Sequence, residues 1–331
     1  MFKRATIIGD GAMGSVCGML LCSNGVATTL WGYDAAQLAR FAAAGENTKF
    51  LPGYPLPAAL RFEADDAKAL QEAQLLVSAV PCQFVRSIWQ RLKPNVPPGV
   101  PIVSVTKGIE NKTLLRPTEI LQEALGLNRD YAALSGPTIA DELMRGLPAT
   151  ATAACRDQSL AERIQETFTT PMFRVYTNMD LAGVELAGAM KNVIAIAAGC
   201  IDGIGAGDNA KAALIARGLA EISRLGQAMG AHESTFAGLS GLGDLVTTCI
   251  SPKGRNRSFG EQIGRGMTAQ EAIQSTHSVI EGVTTCQSVV QLAARYHVEM
   301  PITEAVFAVV SGKLHVKEAI VGLMSRSLKA E

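Results

Sequence analysis

The first fourteen residues constrain this chain most. Ala5-Thr6-Ile7-Ile8 is a short, uncharged run with β-branched residues, the mark of a strand buried on both faces. Gly9-Asp10-Gly11-Ala12-Met13-Gly14 follows at once and places three glycines in G-x-G-x-x-G spacing. Ser15 to Asn24 then carries Val16, Met19, Leu20 and Cys22 at helical intervals. Strand, glycine turn and helix in this order are the context a dinucleotide-binding fingerprint requires. Gly9 permits the tight turn, Gly11 leaves the backbone open to a pyrophosphate, and Gly14 lets the helix pack close to the sheet. The unpaired N–H groups at the start of the helix face the phosphates.

The pattern continues. Ala27 to Trp31 reads as a second strand, followed by Tyr33 and by Asp34, which lies 20 residues after Gly14, where an acid can meet a ribose. Gly45 to Pro57 reads as a loop and Ala64 to Ala73 as a polar helix. Leu75 to Val80 is a buried strand ended by Pro81. Ile102 to Val105 is another, with Thr106-Lys107-Gly108 after it, and Leu115 to Leu125 is helical. Tyr131 to Leu134 precedes Ser135-Gly136-Pro137-Thr138, and Ala149 to Ala154 and Phe173 to Tyr176 complete the sheet. Alternating strands and helices predict a parallel sheet with right-handed crossovers. From Leu181 onward the pattern is helical: 181–200, 209–229, 259–264, 268–275, 282–296, 301–311 and 315–328, with glycine-rich connectors at 202–207 and 238–243. The expected fold class is α/β: an N-terminal Rossmann-type parallel-sheet domain over residues 1–177, followed by an all-α C-terminal domain over 178–331.

A chain of 331 residues supports two cores. Lys+Arg and Asp+Glu are both 30, so no global field attracts nucleic acid or an acidic membrane. The first strand starts too early for a signal peptide, and no uninterrupted apolar run reaches the roughly 20 residues that span a bilayer. Seven scattered cysteines without C-x-x-C spacing predict reduced, buried thiols in a cytoplasmic protein. The four histidines, His232, His277, His297 and His315, show no zinc spacing, and no metal is expected.

Helix 181–200 is the second informative element. Leu181, Val184, Leu186, Met190, Val193, Ile194, Ile196 and Ala197 cover nearly its whole circumference, and Lys191-Asn192 interrupts them. A lysine there must find a partner or lose its proton, and either outcome serves proton transfer. Asp244, within Ser240-Gly241-Leu242-Gly243-Asp244-Leu245, could hold it. Arg255 and Asn256 could bind an oxyanion or a phosphate.

At these residues the chain resembles the NAD(P)-dependent glycerol-3-phosphate dehydrogenases. The likeness includes Gly9 to Gly14, Leu30-Trp31-Gly32, Thr106-Lys107-Gly108, Ser135 to Thr138 and Lys191-Asn192 with Val193-Ile194-Ala195-Ile196. It continues through Gly203-Ile204-Gly205, Arg217 to Glu221, Gly241 to Leu245, Arg255-Asn256, Glu281-Gly282 and Met300-Pro301-Ile302.

The resemblance implies reduction of dihydroxyacetone phosphate to sn-glycerol 3-phosphate with NAD or NADP, in the cytoplasm, supplying glycerophospholipid synthesis. Lys191 looks like the general acid/base, Lys107 like the second active-site lysine, and Asp244 like a third catalytic residue. Gly136, Thr138, Asn192, Thr248, Gly254, Arg255 and Asn256, with Lys107, Lys191 and Asp244, match substrate-binding positions. Gly9, Gly11, Ala12, Met13, Gly14, Tyr33, Lys107, Ala140, Arg255, Val279 and Glu281 match cofactor-binding ones. The chain departs from the pattern at Asp10, usually a small residue; at Ala12-Met13, usually Ser/Ala with an aromatic; at Tyr33, commonly basic; and at Gly254, often serine. The Asp10 carboxylate must therefore point away from the pyrophosphate. Expected partners are a small phosphorylated substrate and, from the apolar helices of the second domain, a second copy in a homodimer; nucleic acid and membrane insertion are not expected. The rival readings are another two-domain hydroxyacid or ketopantoate-type dehydrogenase and a non-catalytic nucleotide-sensing relative.

Overall fold

β1 (Arg4–Ile8) carries no exposed side chain after Arg4, because it has a neighbouring strand on each side and helices over both faces. In this computed structural model, which describes residues 1–276 and 279–327, seven more strands extend from it. They are β2 (Ala27–Trp31), β3 (Arg61–Glu63), β4 (Leu75–Ser78), β5 (Ile102–Ser104), β6 (Tyr131–Ser135), β7 (Ala149–Cys155) and β8 (Phe173–Asn178). The order across the sheet is β3-β2-β1-β4-β5-β6-β7-β8. Its first six strands are parallel in the doubly wound order of a Rossmann-type sheet.

The sheet is not parallel throughout, as the sequence pattern predicted. β6 and β7 are antiparallel, pairing Ala132 with Cys155 and Ser135 with Thr152. The link between them holds only a five-residue helix, Ala140–Met144. Such a helix advances about 7 Å, too little to return the chain along a strand about twice as long. Composition also hid β3, three residues at the sheet's edge. β4 stops at Ser78 rather than at Pro81, because the chain turns toward the glycine loop at Ala79.

The helices are α1 (Ala12–Ser23), α2 (Ala35–Ala44), α3 (Asp66–Leu70), α4 (Val85–Leu92), α5 (Pro117–Leu125), α6 (Ala140–Met144) and α7 (Gln158–Phe168). They continue as α8 (Leu181–Ile204), α9 (Asp208–Ala228), α10 (Glu233–Ala237), α11 (Asp244–Ile250), α12 (Arg255–Gly264), α13 (Ala269–Gln274), α14 (Glu281–Arg295), α15 (Pro301–Val310) and α16 (Val316–Met324). The expected connector at 238–243 is instead α10's end and a π-helical turn, Leu239–Gly243. The helix read as 259–264 begins four residues earlier. His277, and the expected end of the last helix at residue 328, lie outside the described residues.

The chain forms two compact units: Met1–Lys107 with Leu115–Glu185, and Gly108–Leu114 with the chain from Leu186 onward. In the first, one apolar core joins α1 and α7 to the sheet through Ile7, Leu21, Val77 and Phe168, and another gathers Trp31, Leu76 and Trp89. In the second, α8 is the axis of two cores, one with Met190, Ile194, Leu225 and Leu245, the other with Val193, Ile196 and Phe259. By length and mean hydropathy α8 could cross a bilayer, but glycines, Glu185 and Lys191 interrupt it, as the sequence shows, and its apolar stretch is buried within the fold. None of the seven cysteines forms a disulfide, and all but Cys22 are buried.

Candidate active site

The glycine turn is stitched to both neighbours of β1. Gly9 N–H donates to Trp31 O at 3.0 Å, and Ala79 N–H donates to Ile8 O at 2.8 Å. Gly9 has φ +118°, and a Cβ there would stand 2.8 Å from Ala79 O. A Cβ on Gly14 would stand 2.0 Å from Gly9 O, whereas one on Gly11 would meet nothing within 4 Å. The first and third glycines are thus demanded by the fold, and the second keeps a space open. That space adjoins the start of α1, whose N-cap Gly11 offers no side-chain acceptor to the first N–H groups. An open cradle at a helix N-terminus fits a pyrophosphate. Ala12 and Met13 form the first turn of α1.

The Asp10 carboxylate points away from this cradle and accepts a hydrogen bond from Gln37 Nε2. Asn47, inside the stretch read as a loop, is buried and holds the turn: its Nδ2 donates to Asp10 O at 2.9 Å and to Ser15 Oγ at 2.8 Å. Nothing in residue spacing marked it. Asp34 is the N-cap of α2, accepting from Gln37 N–H at 3.0 Å. Tyr33 is 72% exposed, with the Arg91 guanidinium 5.1 Å from its ring centre.

Elsewhere in the first unit, the half-buried Lys107 sends Nζ to Gly136 O at 2.9 Å, and Thr138 Oγ1 donates to the same oxygen at 3.1 Å. Gly136 has φ +144°, and a Cβ there would stand 2.9 Å from Ala151 Cα. Met13, Lys107 and Thr138 line one small crevice with Val16, Val105 and Leu134. Ala140 opens α6.

In the second unit, Lys191 is buried. Its Nζ stands 2.9 Å from Asp244 Oδ1, with the two side chains 8% and 2% exposed, and it donates to Thr248 Oγ1. α11 supplies both partners: Asp244 and Thr248 are four residues apart, one turn along the same face. Burial pushes the thiol of the neighbouring Cys249 up to about 12, which disfavours its thiolate. Asn192 is buried next to Lys191. Asn256 Oδ1 accepts from Gly282 N–H at 2.9 Å, tying α12 to the start of α14, where Glu281 is the first residue. Arg255 is exposed, and its Nη1 donates to Val279 O at 3.3 Å. Gly254 is the N-cap of α12, where a Cβ would stand 3.1 Å from Thr248 O. The second unit thus joins Lys191, Asp244 and Thr248 in one cluster. Arg255, Asn256, Val279 and Glu281 meet where α12 adjoins α14.

Residues 4–161 match the family model for the NAD-dependent glycerol-3-phosphate dehydrogenase N-terminus, and residues 180–321 match the model for its C-terminus. The chain is 46% identical over 329 residues to glycerol-3-phosphate dehydrogenase [NAD(P)+] of Oleidesulfovibrio alaskensis, covering 99% of this chain and 100% of that one. It is 44% identical to the Streptomyces coelicolor enzyme of the same name, covering 99% and 98%. The crystal structure of glycerol-3-phosphate dehydrogenase from Coxiella burnetii superposes with a TM-score of 0.94 at 34% identity, covering 98% of this chain and 99% of that one. The chain belongs to the NAD-dependent glycerol-3-phosphate dehydrogenase family.

Proposed function

We propose that this chain reduces dihydroxyacetone phosphate to sn-glycerol 3-phosphate, reversibly, with NADH or NADPH. Residues 1–177 form the dinucleotide-binding part and 178–331 the substrate-binding part. The observation that carries the reading is Lys191, an ammonium held by Asp244 and Thr248 inside an otherwise apolar helix. A buried ion pair does little for stability, so its presence calls for a chemical use.

A nicotinamide held by the glycine turn would supply the hydride that the carbonyl carbon accepts. Lys191 gives its proton to the carbonyl oxygen as negative charge develops there, and Asp244 orients the ammonium and keeps it charged until then. Thr248 accepts a hydrogen bond from Lys191 and holds the amine beside Asp244, and solvent returns the proton once the product leaves. Lys107, Lys191 and Arg255 compensate the substrate's dianionic phosphate, and Asn256 adds a hydrogen-bond donor. Gly136, Thr138, Asn192 and Gly254 complete the substrate contacts. Gly9, Gly11, Ala12, Met13, Gly14, Tyr33, Lys107, Ala140, Arg255, Val279 and Glu281 receive the cofactor. The open cradle at Gly11 supports that assignment.

The product supplies glycerophospholipid synthesis, and the protein works in the cytoplasm as a homodimer. The buried placement of α8, the one long apolar helix among the described residues, supports a non-membrane role. The test follows NADH and NADPH absorbance on adding dihydroxyacetone phosphate, with ketopantoate as the control substrate. Oxidation with the first substrate alone is expected. No turnover with either cofactor, or turnover only with ketopantoate, refutes the reading. Sedimentation equilibrium tests the dimer.

A further inference from the structure

The end of β2 is where a Rossmann-type sheet meets the adenosine ribose: an acid there accepts the 2′-hydroxyl of NAD, and a nearby arginine accommodates the 2′-phosphate of NADP. The acid that chain position offers, Asp34, is spent on capping α2. Another carboxylate takes its place. Asp10 leaves the glycine turn and lies against the backbone at the end of β2, so that a Cβ on Gly32 would stand 3.0 Å from its Cγ and from its Oδ2. Gln37, 5% exposed, fixes it there by donating from Nε2 to Asp10 Oδ2.

Two basic side chains nearby, Arg91 and Lys49, are engaged. Arg91 stacks over Trp31 and Tyr33, at 5.4 Å and 5.1 Å, while its Nε and Nη2 donate to the Asp66 carboxylate at 2.9 Å and 3.0 Å. Lys49 donates to Gln37 Oε1 at 2.8 Å and lies 4.8 Å from the Phe50 ring centre. In the chain Lys49–Gln37–Asp10, the amide turns its oxygen to the lysine and its nitrogen to the carboxylate.

We infer that Asp10 is the specificity-determining residue for the cofactor: its carboxylate accepts the 2′-hydroxyl of NAD(H) and repels the 2′-phosphate of NADP(H). This rests on the dinucleotide-binding reading proposed above. It also gives a use to Asp10, a charged residue inside the glycine turn.

The experiment is equilibrium binding to the full-length chain. NADH and NADPH are followed by nicotinamide fluorescence, and 5′-ADP and 2′,5′-ADP by calorimetry. The wild type is expected to bind NADH at least about tenfold more tightly than NADPH, with the same order for the fragments. Asp10→Asn and Asp10→Ala are expected to bring the ratio to about threefold or less. Lys49→Ala is expected to keep the wild-type order. Each ratio is measured on one preparation, so partial misfolding of a variant does not imitate the result. Equal binding or an NADPH preference in the wild type overturns the inference, as does an unchanged ratio in both Asp10 variants. Selective loss of NADPH binding in Lys49→Ala moves control to Lys49 and overturns it too. If the wild type binds neither dinucleotide, the parent reading fails with it.

Discussion

Lys191 on α8 and Asp244 on α11 face each other across 2.9 Å, and neither has appreciable access to solvent. Removing one partner leaves the other charge buried and unpaired. Lys191→Ala is therefore expected to cost about 3–5 kcal/mol of stability, and to lower kcat by about 10²–10⁴-fold. NADH affinity should stay close to the wild-type value. The double variant Lys191→Met/Asp244→Leu separates the two effects. It should recover most of the stability in urea titrations, because an apolar pair of similar size is tolerated in such a site. It should remain inactive. A stable double variant with substantial turnover rules out lysine as the proton donor.

The glycines of the first turn make opposite demands. Gly14 lies inside α1, where alanine normally gains up to about 1 kcal/mol. Here the new Cβ would fall 2.0 Å from Gly9 O, so Gly14→Ala should instead lose about 1–3 kcal/mol or more. Gly11 has an extended backbone, φ −73° and ψ −179°, with empty space where a Cβ would go. Gly11→Ala should unfold within about 0.5 kcal/mol of wild type, yet bind NADH more weakly because the methyl enters the phosphate cradle. Thermal unfolding and fluorescence titration on the same samples check both halves. Unweakened NADH binding in Gly11→Ala places the pyrophosphate elsewhere.

What could be read without coordinates follows from the same physics. β1, the glycine turn and α8 were legible because burial imposes a period or a continuous apolar face on consecutive residues. Strand direction imposes none, so the antiparallel β6–β7 pair was invisible. The segment 238–243 looked like a linker because glycine usually marks a turn. Gly241 is there for a close approach instead, since a Cβ would stand 2.0 Å from Phe236 O. Arg255 to Arg257 are polar, so the helical period became detectable only at Phe259, although the helix starts at Arg255. The contacts of Asn47 and Gln37 with the glycine turn join segments more than twenty residues apart, and no local spacing encodes them.

Glu221 on α9 shows how a buried acid can serve a helix end. Its Oε1 accepts from Ile302 N–H at 2.7 Å, and its Oε2 accepts from Thr303 N–H at 3.2 Å and from Thr303 Oγ1 at 3.1 Å, closing the N-terminus of α15. Burial raises its carboxyl above the usual glutamate range, with those N–H groups pulling the other way. The folded chain thus holds this proton more tightly than the unfolded chain. The group's contribution is complete below the ordinary glutamate pKa, about 4.3, and declines as pH rises through the raised folded value. Glu221→Gln cannot ionise and lacks that decline. Its unfolding free energy relative to wild type should improve between about pH 4 and pH 7. Glu221→Ala should lose about 1–3 kcal/mol because two buried N–H groups are orphaned. Urea titrations across this range decide; a constant gap between wild type and Glu221→Gln means burial does not control the site.

α8 and α12 touch backbone to backbone. A Cβ on Gly199 would stand 1.9 Å from Arg257 O, and one on Gly203 would stand 2.4 Å from Glu261 O. Reciprocally, one on Gly260 would stand 2.0 Å from Ile196 O, and one on Gly264 would stand 2.5 Å from Cys200 O. Asp202, near the end of α8, adds an ion pair of 2.6 Å to Arg257 and another to Lys211. Four glycines therefore set the distance between the helix that carries Lys191 and Asn192 and the helix that carries Arg255 and Asn256. Gly199→Ala should wedge them apart. A displacement on the ångström scale can cost up to about a hundredfold in a positioned reaction. The KM for dihydroxyacetone phosphate should accordingly rise more than kcat falls, because the phosphate ligands proposed on α12 move while Lys191 keeps its partners on α11. Gly322→Ala, on α16 with nothing within 4 Å of the new methyl, is the control for a helix glycine without such a contact. Steady-state kinetics with each substrate varied check this, and an unchanged KM for dihydroxyacetone phosphate in a folded Gly199→Ala protein detaches the phosphate site from this helix pair.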